Sequence, residues 1–174
     1  QQFTSLASAL PQLVWIADGE GKVYFYNDHV QNFAGFTKDE QGNYRWQGLI
    51  HPDDLTATTT TWTNALALGT VYEKEHRLMM ADGNYRWHIS RGIPRKDDTG
   101  KAVEWFGTAT DIHEVKLAQA KYSSLFESMD QGFSIVEMIF DAHHKPVDYI
   151  FIETNPAFEK LTGLRNAAGK RITN

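Results

Sequence analysis

The segment Val71–Val115, VYEKEHRLMMADGNYRWHISRGIPRKDDTGKAVEWFGTATDIHEV, constrains this chain more than any other stretch, because it reads as three consecutive antiparallel strands feeding a helix. Asp82-Gly83 is the pair that tolerates positive φ at both central positions of a tight hairpin loop, with apolar and β-prone residues on either side. A two-residue loop there sets Ala81 opposite Asn84, Leu78 opposite Trp87 and His76 opposite Ile89. Tyr72, Lys74, His76, Leu78, Trp87, Ile89, Arg91 and Ile93 then share one face. Val71, Glu73, Glu75, Arg77, Met79, Arg86, His88 and Ser90 form the other, more charged face, which is expected to look outward. A longer loop, Lys96-Asp97-Asp98-Thr99-Gly100, returns the chain into a third strand, Val103–Ala109.

After the third strand comes a junction between sheet and helix. Asp111 precedes Glu114 by three residues, close to a capping box in which each side chain bonds a backbone N–H left free at the helix start. Ile112, Val115, Gln119, Tyr122, Phe126 and Met129 then follow at alternating spacings of three and four, the seam of a coiled-coil-like helix. Gln119 puts a polar side chain into that seam, which lowers stability and helps to fix register. An amphipathic helix packed on its own domain is the alternative reading of the same spacing.

These residues reach a known family. Leu10–Val115 resembles a PAS domain with its C-terminal PAC segment, carried by LPQLVWIADGEGKVYFYN, GFTKDE, WQGLIHPDD, the Gly83-Asn84-Tyr85-Arg86-Trp87 hairpin and WFGTATDI, in that order. The resemblance implies an α+β fold: a five-stranded antiparallel sheet with short helices across one face and, where one exists, a ligand or signal site between them. It also implies that the junction at Asp111 and Ile112 hands a signal to the outgoing helix. His51, in Ile50-His51-Pro52-Asp53-Asp54, is expected to order the turn into the long helix, with Pro52 at a first-turn position where its missing N–H costs nothing.

An internal repeat lies on top of this pattern. Asn27, Val30, Phe33, Gly35 and Phe36 recur, as the same residue or the same chemical type at identical spacing, in Asn155, Phe158, Leu161, Gly163 and Leu164. Two apolar runs, Phe133–Phe140 and Tyr149–Ile152, precede Asn155 and are separated by Asp141–Pro146, which looks like the opening hairpin of a second PAS domain with a longer turn. The expected organisation is an N-terminal helix or flank over 1–9, a PAS/PAC domain over 10–111, a connector helix over 112–129 and the opening part of a second PAS domain over 130–174. Opening on Gln1 rather than Met, the chain reads as a piece of a longer protein.

Composition agrees with one good core and the start of another, at 174 residues, 41% hydrophobic and 22% charged. A formal charge of -5 and a pI near 5.8 argue against a nucleic-acid surface, where basic clustering is expected. No run of about 18 apolar residues and no signal-peptide pattern is present, so no membrane segment is expected in this stretch. The chain has no cysteine, which fits a reducing compartment and excludes flavin or a coumaroyl chromophore bonded through a thiol. Haem-binding relatives place an axial histidine on the long helix, and Pro52–Leu68 has none. No cofactor is expected, while non-covalent flavin or a small organic ligand stays open.

Catalytic signatures are missing: there is no Gly-x-Ser-x-Gly, no phosphate-binding Gly-Lys-Ser/Thr and no His-Glu-x-x-His. Asp53-Asp54 and Asp97-Asp98 are adjacent carboxylates, which point apart rather than converging as acid and base; the first pair suits a helix N-terminus and the second a solvated loop. His143-His144 lacks the further ligands of a tetrahedral metal set apart from Asp141, and loop histidines are the simpler account. His29, His88 and His113 show no partner pattern.

Lys74, His76 and Arg91 on the face assigned inward depart from the family's pattern, which more often has an apolar residue near Lys74 and an aromatic near His76. Buried cations need a counter-charge. Carboxylates of the same domain can supply it, an anionic ligand can, or a shifted strand lets Lys74 snorkel at the sheet margin. On the long helix Leu55, Thr59, Trp62 and Leu66 form a stripe expected to face the sheet, with Phe33 and Phe36 flanking the short helices. The candidate ligand pocket is therefore Lys74, His76, Trp87, Arg91, Trp62 and Phe33. Asp111, Ile112 and Glu114 are the signal-transfer candidates, and Val115, Gln119, Tyr122, Phe126 and Met129 the dimer seam, aided by Phe3, Leu6 and Leu10 on an N-terminal helix. The resulting expectation is a cytoplasmic, bacterial-type sensory or relay module that is not itself an enzyme, homodimeric, with a signalling output domain such as a histidine kinase elsewhere in the same chain. The alternative is a dimerisation scaffold without ligand.

Overall fold

The computed structural model describes residues 2–173, with the backbone alone for residues 2–5; the side chain of Phe3, assigned above to the N-terminal apolar face, lies outside the described residues. The chain divides into two compact units, residues 1–114 and 115–174. The first opens with helix α1 (Gln2–Ala9) and continues with β1 (Leu13–Asp18), β2 (Val23–Tyr26), two short strands β3 (Thr37–Lys38) and β4 (Tyr44–Arg45), helix α2 (Pro52–Leu68), and the long strands β5 (Tyr72–Met79), β6 (Tyr85–Lys96) and β7 (Ala102–Asp111). All pairings are antiparallel, in the order β3-β4-β2-β1-β7-β6-β5. The five expected strands are the longer ones, and the two-residue strands β3 and β4 extend the β2 edge to seven.

The β5–β6 turn corrects the expected register. The Met80 N–H donates to the Asn84 carbonyl at 2.8 Å and the Gly83 N–H to the Met80 carbonyl at 2.9 Å, so the loop holds three residues, Ala81-Asp82-Gly83. Gly83, with φ 84°, is the left-handed residue that closes a type I turn with a bulge. His76 therefore pairs with His88, Arg77 with Trp87, Lys74 with Ser90 and Glu73 with Arg91. One extra loop residue turns every β6 side chain to the opposite face. On β5 the inward set Tyr72, His76 and Leu78 stands, whereas on β6 the inward residues are His88 and Ser90, and Trp87 and Arg91 look outward. Turns with the same hydrogen-bond pattern start at Asp18, Asp39, Asp97 and Asp141, whose carboxylates each accept the N–H groups two and four residues on. In the last of these the left-handed position is His144, φ 58°, a conformation that costs a side-chain-bearing residue roughly 1–2 kcal/mol.

One cross-strand row positions the interior. Tyr26 pairs with Trp15, Trp15 with Gly107, Gly107 with Gly92, and Gly92 with Tyr72. The Trp15 indole lies across the two glycines: a Cβ on Gly107 would sit 2.1 Å from the ring and one on Gly92 2.7 Å from it. Trp62 of α2 meets Trp15, Tyr72 and Trp105 edge-on, with centroids 5.5, 5.0 and 5.1 Å away, and this aromatic block fills the space between helix and sheet. The inward stripe of α2 is Thr58, Trp62 and Ala65, with Leu55 half-buried; Thr59, expected inward, is exposed.

The second unit holds most of helix α3 (His113–Ser128), the hairpin β8 (Ser134–Phe140) and β9 (Pro146–Thr154), and helix α4 (Pro156–Thr162). The repeat is reproduced at its two asparagines in three shared hydrogen bonds, with a fourth, a helix cap, at Asn155. Asn27 accepts the Val14 N–H at 2.9 Å and donates to the carbonyls of Ala7 and Gln12 at 2.7 and 3.0 Å. Asn155 accepts the Phe133 and Phe158 N–H groups and donates to the carbonyls of Phe126 and Gln131. Each asparagine ties a preceding helix to the first strand of its own sheet, so the last turns of α3 stand to the second unit as α1 stands to the first. Phe126, expected in the dimer seam, is consequently buried, stacked on Tyr122 and edge-on to Phe133.

Candidate functional site

The site is built where α2 crosses the inner face of β5 and β6. Pro52 begins the helix, and His51 Nδ1 accepts the Asp53 N–H at 3.2 Å. Asp54 then fastens the helix to the edge strand: its carboxylate accepts the Arg77 backbone N–H and both ends of the guanidinium fork at 2.8–2.9 Å. The Arg77 side-chain hydrogen bonds, opposed by burial and helped by its backbone N–H, push the Asp54 carboxyl down to about 2. With the edge of β5 held in this way, Thr58 faces His76.

A cavity of about 50 Å³ lies beneath. Leu13, Trp15, Tyr26, Trp46, Leu49, Ile50, Trp62 and Leu78 give it an apolar wall, and Thr58, His76 and Ser90 form one polar edge. His76 Nδ1 is 3.1 Å from Thr58 Oγ1 and His76 Nε2 is 2.7 Å from Ser90 Oγ, so the imidazole links helix to sheet. Burial, assisted by the neighbouring His88, pushes His76 down to about 4, and the ring is neutral at pH 7. Both partners of His76 are hydroxyls. With burial outweighing the pull of Asp54 and no carboxylate hydrogen-bonded to it, the ring is a poor general base near neutral pH, and Ser90, 6% exposed, is no accessible nucleophile. The volume suits a few waters or a small polar molecule, against the several hundred Å³ that drug-sized ligands occupy.

Of the candidate pocket residues, His76 and Trp62 line this cavity. Lys74 is half-buried beside Ser90 on the edge strand and is not part of the wall, and Phe33 packs on the far side of His88 with ring centroids 5.3 Å apart. Arg91 is exposed with its guanidinium 3.8 Å from Glu73, and Trp87 lies under the Arg77 guanidinium on the outer face. The cation cluster expected from Lys74, His76 and Arg91 therefore does not assemble; the one-residue register shift carries Arg91 to the opposite face from Lys74 and His76. Thr58 has no place in the sequence reading, and His88 and Ser90, assigned there to the outward face, point inward; glycines inside two neighbouring strands, Gly92 and Gly107, are the usual mark of a close approach from below.

The junction to α3 is held by β6. The Asp111 carboxylate accepts Arg86 Nε at 2.7 Å and the His113 N–H at 2.8 Å, and Arg86 Nη2 reaches Glu114 at 3.3 Å. Burial alone would raise the Asp111 carboxyl, but Arg86 and the His113 N–H hold it below its ordinary value. The expected reciprocal capping box is replaced: Asp111 caps two residues ahead while Glu114 turns to Arg86. The Ile112 N–H donates to the Trp87 carbonyl and the Trp87 N–H to His113 Nδ1, which continues the ladder past the end of β7. In the connector, Val115, Gln119, Tyr122 and Met129 are exposed, with Val115 at 57%.

Comparison with known proteins agrees with this architecture. The family model of the PAS fold matches residues 23–109, and that of a PAS domain matches residues 120–174. The chain belongs to the PAS family, with one domain followed by a partial second PAS-like region. It is 36% identical over 115 residues to the peroxide stress-activated histidine kinase mak1 of Schizosaccharomyces pombe, covering 66% of this chain and 7% of that protein. It is 25% identical over 132 residues to a methyl sulfide methyltransferase-associated sensor of Methanosarcina acetivorans, covering 72% of this chain and 13% of that one. The chain thus spans a small fraction of the length of these relatives. Among solved structures, a sensory box histidine kinase/response regulator from Burkholderia thailandensis superposes with a TM-score of 0.52 at 20% identity, covering 71% of this chain and 94% of that one. The PAS domain of a protein from Colwellia psychrerythraea gives 0.51 at 20% identity, covering 65% and 96%. Among the described residues no helix is long and apolar enough to cross a membrane.

Proposed function

We propose that this chain is a cytoplasmic PAS sensory or relay module of a larger signalling protein, that its first unit responds to a small polar molecule in the cavity, and that the response passes to α3. The observation that carries the reading is strand β6: Ser90 sits on the cavity edge and Arg86, on the same strand, holds both Asp111 and Glu114 at the start of α3. A change in cavity occupancy acts on the strand that clamps the helix, which is the geometry a relay needs. The relatives' names, a kinase and a sensor, agree with an output domain elsewhere in the parent protein.

Native mass spectrometry, joined to a thermal-shift panel of small polar and aromatic molecules, tests this. A ligand at a hundredfold excess over its Kd stabilises the fold by about 2.7 kcal/mol, a rise on the order of 10 °C for a domain of this size. Ser90→Leu, which fills the cavity, should abolish the rise. If wild type shows neither a bound mass nor a shift, the small cavity volume favours the second reading, a ligand-free dimerisation scaffold.

Either reading includes homodimerisation through the connector, proposed here on its exposed side chains. Val115, Gln119, Tyr122 and Met129 are exposed, while Phe126 belongs to the core of the second unit. Sedimentation of wild type at tens of micromolar, roughly where a weak interface shows, should give a dimer that Val115→Asp dissociates. A monomeric wild type removes the proposal.

A further inference from the structure

Across β5, β6 and β7 one row consists of titratable residues, running from the buried interior to an exposed rim at Asp111: His76 pairs with His88, and His88 with Asp111. Both histidines are all but sealed from solvent, 3% and 2% exposed. The row begins at the cavity wall and ends on the carboxylate that caps α3. We propose that His76, His88 and Asp111 form a proton-operated switch: a proton taken up by the buried pair, on the His88 ring facing Asp111, draws that carboxylate off Arg86 and the His113 N–H and loosens the first turn of α3.

The neighbours decide where the proton goes. Around His76 stand Asp54 from α2, Lys74 from its own strand and His88 from β6, and both of its ring nitrogens already meet hydroxyls. The positive charge of Lys74 disfavours a second one there. Around His88 stand Arg86 from its own strand, Asp111 from β7 and His113 from α3. His88 Nδ1 lies 2.9 Å from the Arg86 carbonyl, an oxygen that only accepts, so Nδ1 carries the hydrogen and Nε2 the lone pair. The incoming proton comes from solvent and forms one N–H bond at Nε2. Burial sets His88 below its ordinary value, and Asp111 opposes that, so the pair titrates on the acid side of neutrality. The charge that forms competes with Arg86 for the same carboxylate, and Asp111 is the group that holds the His113 N–H. This operates whether or not a small molecule occupies the cavity.

Histidine-ring NMR on the 174-residue chain, combined with amide exchange, tests the switch between about pH 7.5 and about pH 4.5. In wild type the amides of His113–Lys116 should lose about tenfold in protection, with the same midpoint as the His88 ring, while tryptophan fluorescence of the first unit stays native. His88→Gln should abolish the loss of protection. Asp111→Asn, which keeps a cap acceptor and removes the charge, should shift the His88 midpoint to lower pH. Unchanged exchange of these amides through the His88 titration, a wild-type response in His88→Gln, or unfolding of the whole first unit at the same midpoint would each overturn the proposal.

Discussion

Asn27→Ala should lower the stability of the first unit by on the order of 4 kcal/mol, which is roughly 15–25 °C of melting temperature for a domain of this size. Asn27 is 1% exposed, and its amide satisfies the Val14 N–H and the carbonyls of Ala7 and Gln12 together. Alanine strands the buried Val14 N–H and strips the side-chain donor from both carbonyls, of which Ala7 keeps only the Leu10 N–H at 3.3 Å and Gln12 is partly buried; each lost bond costs about 1–3 kcal/mol. Asn155→Ala removes the same clasp from the second unit, where it also takes the side-chain cap from the Phe158 N–H at the start of α4. All five tryptophans lie in the first unit, so fluorescence follows that unit selectively. The Asn27 variant should move the fluorescence transition strongly. The Asn155 variant should leave it in place and lose the amide signals of the β8–β9 hairpin. An Asn27→Ala shift below about 5 °C would show that α1 is not anchored as described.

Acid should weaken the first unit well before its carboxylates titrate. His76 is pushed from an ordinary value of 6.5 down to about 4, mainly by burial. The unfolded chain therefore takes up a proton as pH falls through 6.5, and the folded chain does so only near 4. Stability from this group is complete above 6.5, falls between 6.5 and 4, and totals on the order of 3 kcal/mol over that window. Asp54 contributes separately and lower, between its ordinary 3.8 and about 2. Denaturant midpoints measured across the window should fall for wild type. His76→Asn should be less stable at pH 7, because Thr58 and Ser90 lose a partner, yet should lose most of the slope. An undiminished slope in that variant would assign the acid sensitivity to other groups.

Much of this protein is readable without coordinates. Period-two alternation in Tyr72, His76 and Leu78 is enough to turn β5 the right way round, because inward residues on an edge strand covered by a helix must alternate. The order of motifs and the recurrence of Asn27 at Asn155 are enough to give one PAS domain and the beginning of another. The hairpin positions follow from turn chemistry, since Asp and Gly serve left-handed backbone and short side-chain-to-backbone bonds wherever they fall.

The faces of β6 and of α3 are settled only by tertiary structure. Asp82-Gly83 suits both a two-residue loop and the last two positions of a three-residue one, and local preference does not separate them. The difference is a single residue, and in a strand a single residue exchanges inside for outside, which is why Trp87 and Arg91 leave the cavity while His88 and Ser90 enter it. The three-residue loop wins because it lets Gly92 and Gly107 lie together beneath Trp15, a packing between strands far apart in sequence. In α3 the same three-and-four spacing describes a seam toward a partner and a face toward the chain's own core. Phe126 takes the second role because Asn155, well beyond it in sequence, draws the end of that helix onto the second sheet.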